Sequence, residues 1–317
     1  MVSGAVHLFA NKRNPDGSLP KSLIKKRLLI CFVILFVGLL FQFPANNLYA
    51  LPFLNNYLWN SLFKVNILQL FSYSFFVLLF FFMITKNSKQ VAYISFIIGN
   101  LLIISSHFTL QVDWFKIIPL PFAHLLSLDK GSIFPIFPFM GYMLIGVYLG
   151  YLLERIDIKN RNKYTLIYFP LIGSVYIIAS IIFNYFYHSG LSAVIGVTSL
   201  NMGVSLLRVG VSIFVISFGT LLSYPLKPFT EIISMFSKRA LFIYVIHLLI
   251  IYGSPIFPGL YRFFYAVDSV TAFYCAGFVI FFSSLLVYIY EKTYKRQIAS
   301  YFYKYFIVAL IIYLLLI

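Results

Sequence analysis

Apolar runs of about twenty residues recur along this chain, and that is the length an α-helix needs to cross the hydrocarbon core of a bilayer. Nine such runs can be marked, at 27–43, 65–84, 91–108, 134–153, 164–187, 204–224, 237–254, 269–290 and 301–317. In the last run, Lys304 must reach back to the interface. Backbone groups in lipid are satisfied only by helices or closed barrels, and continuous runs of this length mean helices. The sequence therefore predicts an all-α, polytopic membrane protein, a single bundle of about nine transmembrane helices spanning residues 1–317.

Composition excludes the soluble alternative. Only 10% of the 317 residues are charged and 62% are hydrophobic. A soluble domain draws roughly a quarter of its residues from the charged types. The 37 Phe and 25 Tyr suit a lipid-facing surface with aromatic interfacial belts. A formal charge of +16 would point to nucleic acid in a soluble protein. Here the cations sit in short loops between apolar runs, where they set orientation and meet anionic lipid, so no nucleic acid partner is expected. With the N-terminus in the cytoplasm, 19 of the 24 Lys and Arg fall on the inner side of nine crossings. Residues 1–26 then form a cytoplasmic segment and 109–133 an extracytoplasmic interfacial loop. The first ten residues, MVSGAVHLFA, read as the last turns of a helix or as a segment on the inner surface. With no organelle signal, a bacterial cytoplasmic (inner) membrane is the expected location.

Cys31 and Cys275 each lie inside an apolar run and give neither a disulfide framework nor metal spacing. No metal is expected. Walker, GxSxG, HExxH and dinucleotide patterns are absent from the sequence. Candidate chemistry rests instead on polar groups at membrane depth, which are costly and therefore mark function. On the expected topology these gather at the outer face: His107, Asp113, His124, Asp129, His188, Arg208, Arg262 and Asp268, with His247 in the outer half of its span. Arg208 shares a helix face with Ser205, Ser212 and Gly219. Its guanidinium suits a phosphate or carboxylate, and equally it can snorkel to the outer headgroups. Tyr244 and His247 are three apart and meet on one face. His247 is either a general base or a structural histidine bonded to a neighbouring helix. Asn66, Gln69 and Tyr73 form a polar stripe that interhelical hydrogen bonds also explain.

Three segments together resemble a family. GSIFPIFPFMGYMLIGVYLGYLL (131–153), SKRALFIYVIHLLIIYGS (237–254) and VNILQLFSYSFF (65–76) are similar, in order and spacing, to stretches of bacterial membrane acyltransferases related to heparan-alpha-glucosaminide N-acetyltransferase. The resemblance implies transfer of an acetyl (acyl) group from cytoplasmic acetyl-CoA to an extracytoplasmic sugar or glycan. It carries over His247, Tyr244, Gln69 and Tyr73. His247 becomes the catalytic residue; Arg208, Tyr244, Gln69, Tyr73 and His124 become substrate-binding candidates. Leu70 and Ala240 stand where the family has Arg and Ser, and the family's early helices with their outer-loop histidine have no counterpart here. A glycan transporter or lipid-linked sugar flippase would use the same outer cluster, and a non-catalytic membrane partner is the third reading. The oligomeric state stays open, a homodimer included.

Overall fold

A computed structural model describes residues 1–45, 49–188, 202–253, 259–263 and 266–294. Among these the chain is helical, with no strand. Among the described residues six helices are long and apolar enough to cross a membrane, which gives the chain the character of a multi-pass membrane protein. They are α4 (Ile67–Ile84), α5 (Ser88–Thr109), α7 (Ile136–Glu154), α8 (Arg161–His188), α9 (Met202–Leu222) and α13 (Ser269–Tyr294).

Three of the nine expected runs behave differently. The run at 27–43 lies in α2 (Lys21–Phe41), whose Lys25, Lys26 and Arg27 leave only Leu28 to Phe41 apolar, about 21 Å of helix. The run at 237–254 becomes the second limb of a bent pair, α10 (Thr230–Lys238) and α11 (Ala240–Tyr252), meeting at 66°; counted as one span, the pair makes a seventh. The run at 301–317 lies outside the described residues.

The chain divides into two compact units. The first, Met1–Leu39 with Phe63–Tyr224, is built on close helix contacts at small residues, the usual solution where lipid gives helices no hydrophobic reason to associate. α5 and α7 meet at Gly99 and Gly141: a Cβ on Gly141 would lie 2.6 Å from the Gly99 carbonyl oxygen. α8 and α9 meet in the same way at Gly173 and Gly210. Residues 2–10 form α1 (Val2–Ala10), which packs along α7, with Gly4 against the Met143 carbonyl and Gly146 against the Met1 carbonyl. Met1 thus lies beside the middle of α7 rather than beyond its end. The glycines of α7 serve these contacts, and its only non-helical residue, Phe137, is near the start.

Beside an apolar core, these helices bury small and polar residues and turn large apolar ones outward. α8 buries Thr165, Ser180 and Asn184 while Leu171, Val175 and Ile178 are exposed. α2 buries Cys31 and Gly38 and exposes Leu29, Phe32 and Phe36. Large apolar side chains face outward because hydrocarbon, not water, is their solvent.

One end of this unit gathers arginines. Arg13 donates to the carbonyls of Gly17 and Thr85 and to the Thr85 hydroxyl, with its guanidinium over the Phe82 ring. Arg27 donates to Asn11 Oδ1 at 2.8 Å and to the Ala10 carbonyl at 3.0 Å. At the opposite end the connection from α5 to α7 folds through α6 (Leu120–Leu126) and is tied to the chain before α4: the amides of Ile133 and Phe134 donate to the Val65 carbonyl.

The second unit is Leu40–Leu62 with Pro225 onward. It holds most of α3 (Asn56–Phe63), then α10, α11, the short α12 (Leu260–Phe263) and α13. α11 and α13 pack on each other, with Arg239 bonded to Glu291 and stacked over Tyr290. α11 ends at Gly253, whose φ of 75° a side chain would disfavour.

Candidate functional site

The fold sorts the candidate residues into four surroundings. His124 stands in the most unusual one. It lies in α6, in the loop between α5 and α7, and none of its surface is exposed. Its Nδ1 is 3.0 Å from Ser132 Oγ. Ser132 Oγ also accepts the Val65 amide at 3.1 Å, so the loop is anchored through the serine the histidine touches. The edge of the Phe115 ring closes on the imidazole at 4.9 Å, and Lys130 Nζ lies 4.3 Å from that ring's centroid. Nε2 is buried without a hydrogen-bond partner. Burial, and then the charges of Lys64 and Lys130, pull His124 from 6.5 down to about 4. The ring is therefore neutral at physiological pH, with one nitrogen engaged and the other open. A buried polar atom without a partner costs roughly 1–3 kcal/mol. Such atoms are rare in folded proteins and call for a reason.

Arg208 is half-buried in α9. The Tyr142 hydroxyl of α7 is buried beside Ser205 and Arg208 without a completed hydrogen bond. Among the described residues no carboxylate pairs with Arg208. A guanidinium and a phenol brought together in this way present donors to one oxyanion.

Gln69 has a structural task. Asn66 caps α4 by accepting from the amides of Leu68 and Gln69, and Gln69 Oε1 returns a bond to the Asn66 amide at 3.0 Å. This is a capping box, legible in the Asn-x-x-Gln spacing. Asn66 Nδ2 also donates to the Gly38 carbonyl, tying α4 to α2. Interhelical hydrogen bonding thus accounts for the front of the polar stripe. Tyr73 packs half-buried on the core cluster that includes Leu70, Leu78 and Met140.

His247 and Tyr244 stand in the second unit, with ring centroids 4.9 Å apart and planes at 74°. His247 Nδ1 is 3.1 Å from the Ile243 carbonyl of its own helix. A carbonyl can only accept, so Nδ1 carries the proton and a neutral ring keeps its lone pair on Nε2. Among the described residues the histidine is bonded within α11 and not to a neighbouring helix.

The structure thus brings Arg208 to Tyr142 and Ser205, and His124 to Ser132, Phe115 and the two lysines; Tyr244 is paired with His247. His107 meets the rings of Phe108 at 5.2 Å and Phe183 at 5.7 Å; the side chain of His188 lies outside the described residues. Ser132 and Tyr142 were missed as partners, although both lie in the 131–153 stretch. Among the described residues no three His, Cys, Asp or Glu side chains are grouped to hold a metal. No protein-family model, no curated protein and no solved structure matches the chain.

Proposed function

We propose that this protein is a membrane-bound acyltransferase that moves an acetyl group from cytoplasmic acetyl-CoA to an extracytoplasmic sugar or glycan. The segment after α1, from Asn11 to the start of α2, and the basic loops would face the cytoplasm, in a bacterial inner membrane. The observation that carries the reading is His247: its Nδ1–H is held by Ile243, which leaves Nε2 as a proton acceptor within an otherwise apolar helix. In the transfer, Nε2 takes the proton of the acceptor hydroxyl as its oxygen bonds to the acetyl carbon. The carbon–sulfur bond breaks, and the proton passes to the leaving thiolate, giving an acetyl ester and free CoA. Tyr244, packed on the imidazole, fixes its orientation. Within the first unit, taken by itself, Arg208 with Tyr142 presents donors suited to an anionic group, and the open nitrogen of His124 offers one hydrogen bond to a hydroxyl.

The test uses protein reconstituted in vesicles, with acetyl-labelled CoA on one side and glycan acceptors on the other. Covalent label is expected on the acceptor, and His247→Gln should lower the rate by about 10²–10⁴-fold, the usual weight of a general base. An unchanged rate would remove His247 from the chemistry. The break between α10 and α11 favours one second reading, a glycan transporter or flippase, since such proteins place substrate at discontinuous helices. Movement of acceptor across the bilayer without acetylation would select it.

A further inference from the structure

The turn that joins α7 to α8 carries a pocket of about 350 Å³ that none of the chemistry above uses. Arg155, Asp157, Asn160 and Lys163 form its polar part, and Tyr164 and Tyr168 form its wall. The two tyrosine rings stack at 4.5 Å with planes 27° apart. Two cations and one carboxylate leave the rim with a single net positive charge.

Two of the neighbouring charges are already engaged. Arg161 donates from Nε to the Ile156 carbonyl at 3.1 Å and lies over the Phe9 ring. Glu154 accepts from Ser88. Arg155 lies 5.9 Å from the centre of the Tyr151 ring, and among the described residues neither it nor Lys163 makes an ion pair.

What the pocket opens onto identifies its ligand. Beyond Tyr164 and Tyr168 the same helix continues with Leu171 (60% exposed) and Val175 (65%). These residues recur at helical spacing along one outward stripe. A ligand seated here has its anionic end between Arg155 and Lys163 and an apolar body against the aromatic wall and that stripe. A soluble phosphate or nucleotide would match only the rim. We infer that the α7–α8 turn is a binding site for an anionic phospholipid, its phosphate held by Arg155 and Lys163 and its acyl chain laid along α8. Asp157 faces the rest of the headgroup and favours one bearing hydroxyls or an ammonium. Basic pockets at the ends of membrane helices bind lipid headgroups on the same physical grounds. The site stands independently of whether the protein transfers acyl groups.

Native mass spectrometry of the detergent-purified protein, with added phosphatidylglycerol, phosphatidylcholine or ATP, tests this. The wild type should retain phosphatidylglycerol in preference to phosphatidylcholine, with ATP failing to displace it. At about 1 kcal/mol per cation, the double variant Arg155→Gln, Lys163→Gln should weaken retention by about thirtyfold. The charge-keeping pair Arg155→Lys, Lys163→Arg should restore most of it, which separates lost binding from lost folding. Lys116→Gln, in the connection at the opposite end of the first unit, should change nothing. Equal retention by wild type and the double glutamine variant would overturn the site, as would equal binding of the two lipids. Displacement by ATP would overturn its assignment to lipid.

Discussion

The two ends of the first unit treat buried nitrogens differently. At the arginine-rich end, Arg13, Arg27 and Arg161 are taken up by backbone carbonyls, with only Nε of Arg13 buried and without a partner. Arg13 and Arg27 donate to backbone carbonyls at the ends of α4 and α1, where helices leave acceptors unsatisfied and their dipoles are negative. Arg161 is bonded in the same way at the turn before α8. At the opposite end, His124 is fully buried, held neutral, and left with one nitrogen unpartnered. The difference teaches where to look for function in a chain this apolar. A cation that finds carbonyls has a structural role, whereas a buried nitrogen without a partner destabilises the fold unless something binds it.

The comparison breaks most visibly at Arg13. Arg13→Ala removes a fork that serves two carbonyls and a hydroxyl, and should cost about 2–4 kcal/mol, since hydrogen bonds to charged groups each contribute roughly 1.5–3 kcal/mol. Chemical unfolding in detergent measures it, and a loss under about 0.5 kcal/mol would show that the arginine is not a structural tie. The next effect is on pH. His124 is neutral in the fold down to about 4, but its unfolded counterpart takes up a proton below 6.5. The unfolded state therefore binds more protons in that window, so the contribution of His124 is flat above 6.5 and lowers stability as pH drops toward 4. His124→Leu should reduce the acid slope, and an equal slope in the variant would assign the acid sensitivity to another group.

At neutral pH the same variant sharpens the contrast. Replacing a residue with no exposed surface ordinarily costs several kcal/mol, yet His124→Leu should change stability by no more than about 1 kcal/mol, because the orphan nitrogen goes with it. A loss above about 3 kcal/mol would make His124 a structural residue like Arg13. The smallest effect belongs to Arg239 and Glu291 in the second unit. Both side chains remain about 30% exposed, and Glu291→Gln should cost less than about 1 kcal/mol. A larger loss would extend the pattern of structural arginines to that unit.

Much of the helical plan was legible in the sequence, because an apolar run long enough to cross a bilayer leaves the backbone no alternative to a helix. A count of nine is not confirmed at α2, where Lys25, Lys26 and Arg27 fall inside the helix and shorten its apolar length. That count also treated 237–254 as one span, while the structure joins α11 to α10 at a sharp bend. Gln69 shows how a local pattern can carry two meanings. Its spacing from Asn66 encodes a capping box, and that local role is sufficient to explain a glutamine beside the membrane.

By itself, then, the sequence determined that this chain is helical, that its helices are apolar enough to lie in a membrane, and that its cations are distributed unevenly between the loops. Hydrophobic length and backbone hydrogen bonding are properties of a single segment. Only the tertiary structure decided that α1 packs on α7 through glycines, that His124 meets Ser132 beneath Phe115, and that Tyr142 lies beside Arg208. Each of these joins residues on different segments. The contact depends on how closely two backbones approach, which no single stretch of sequence contains.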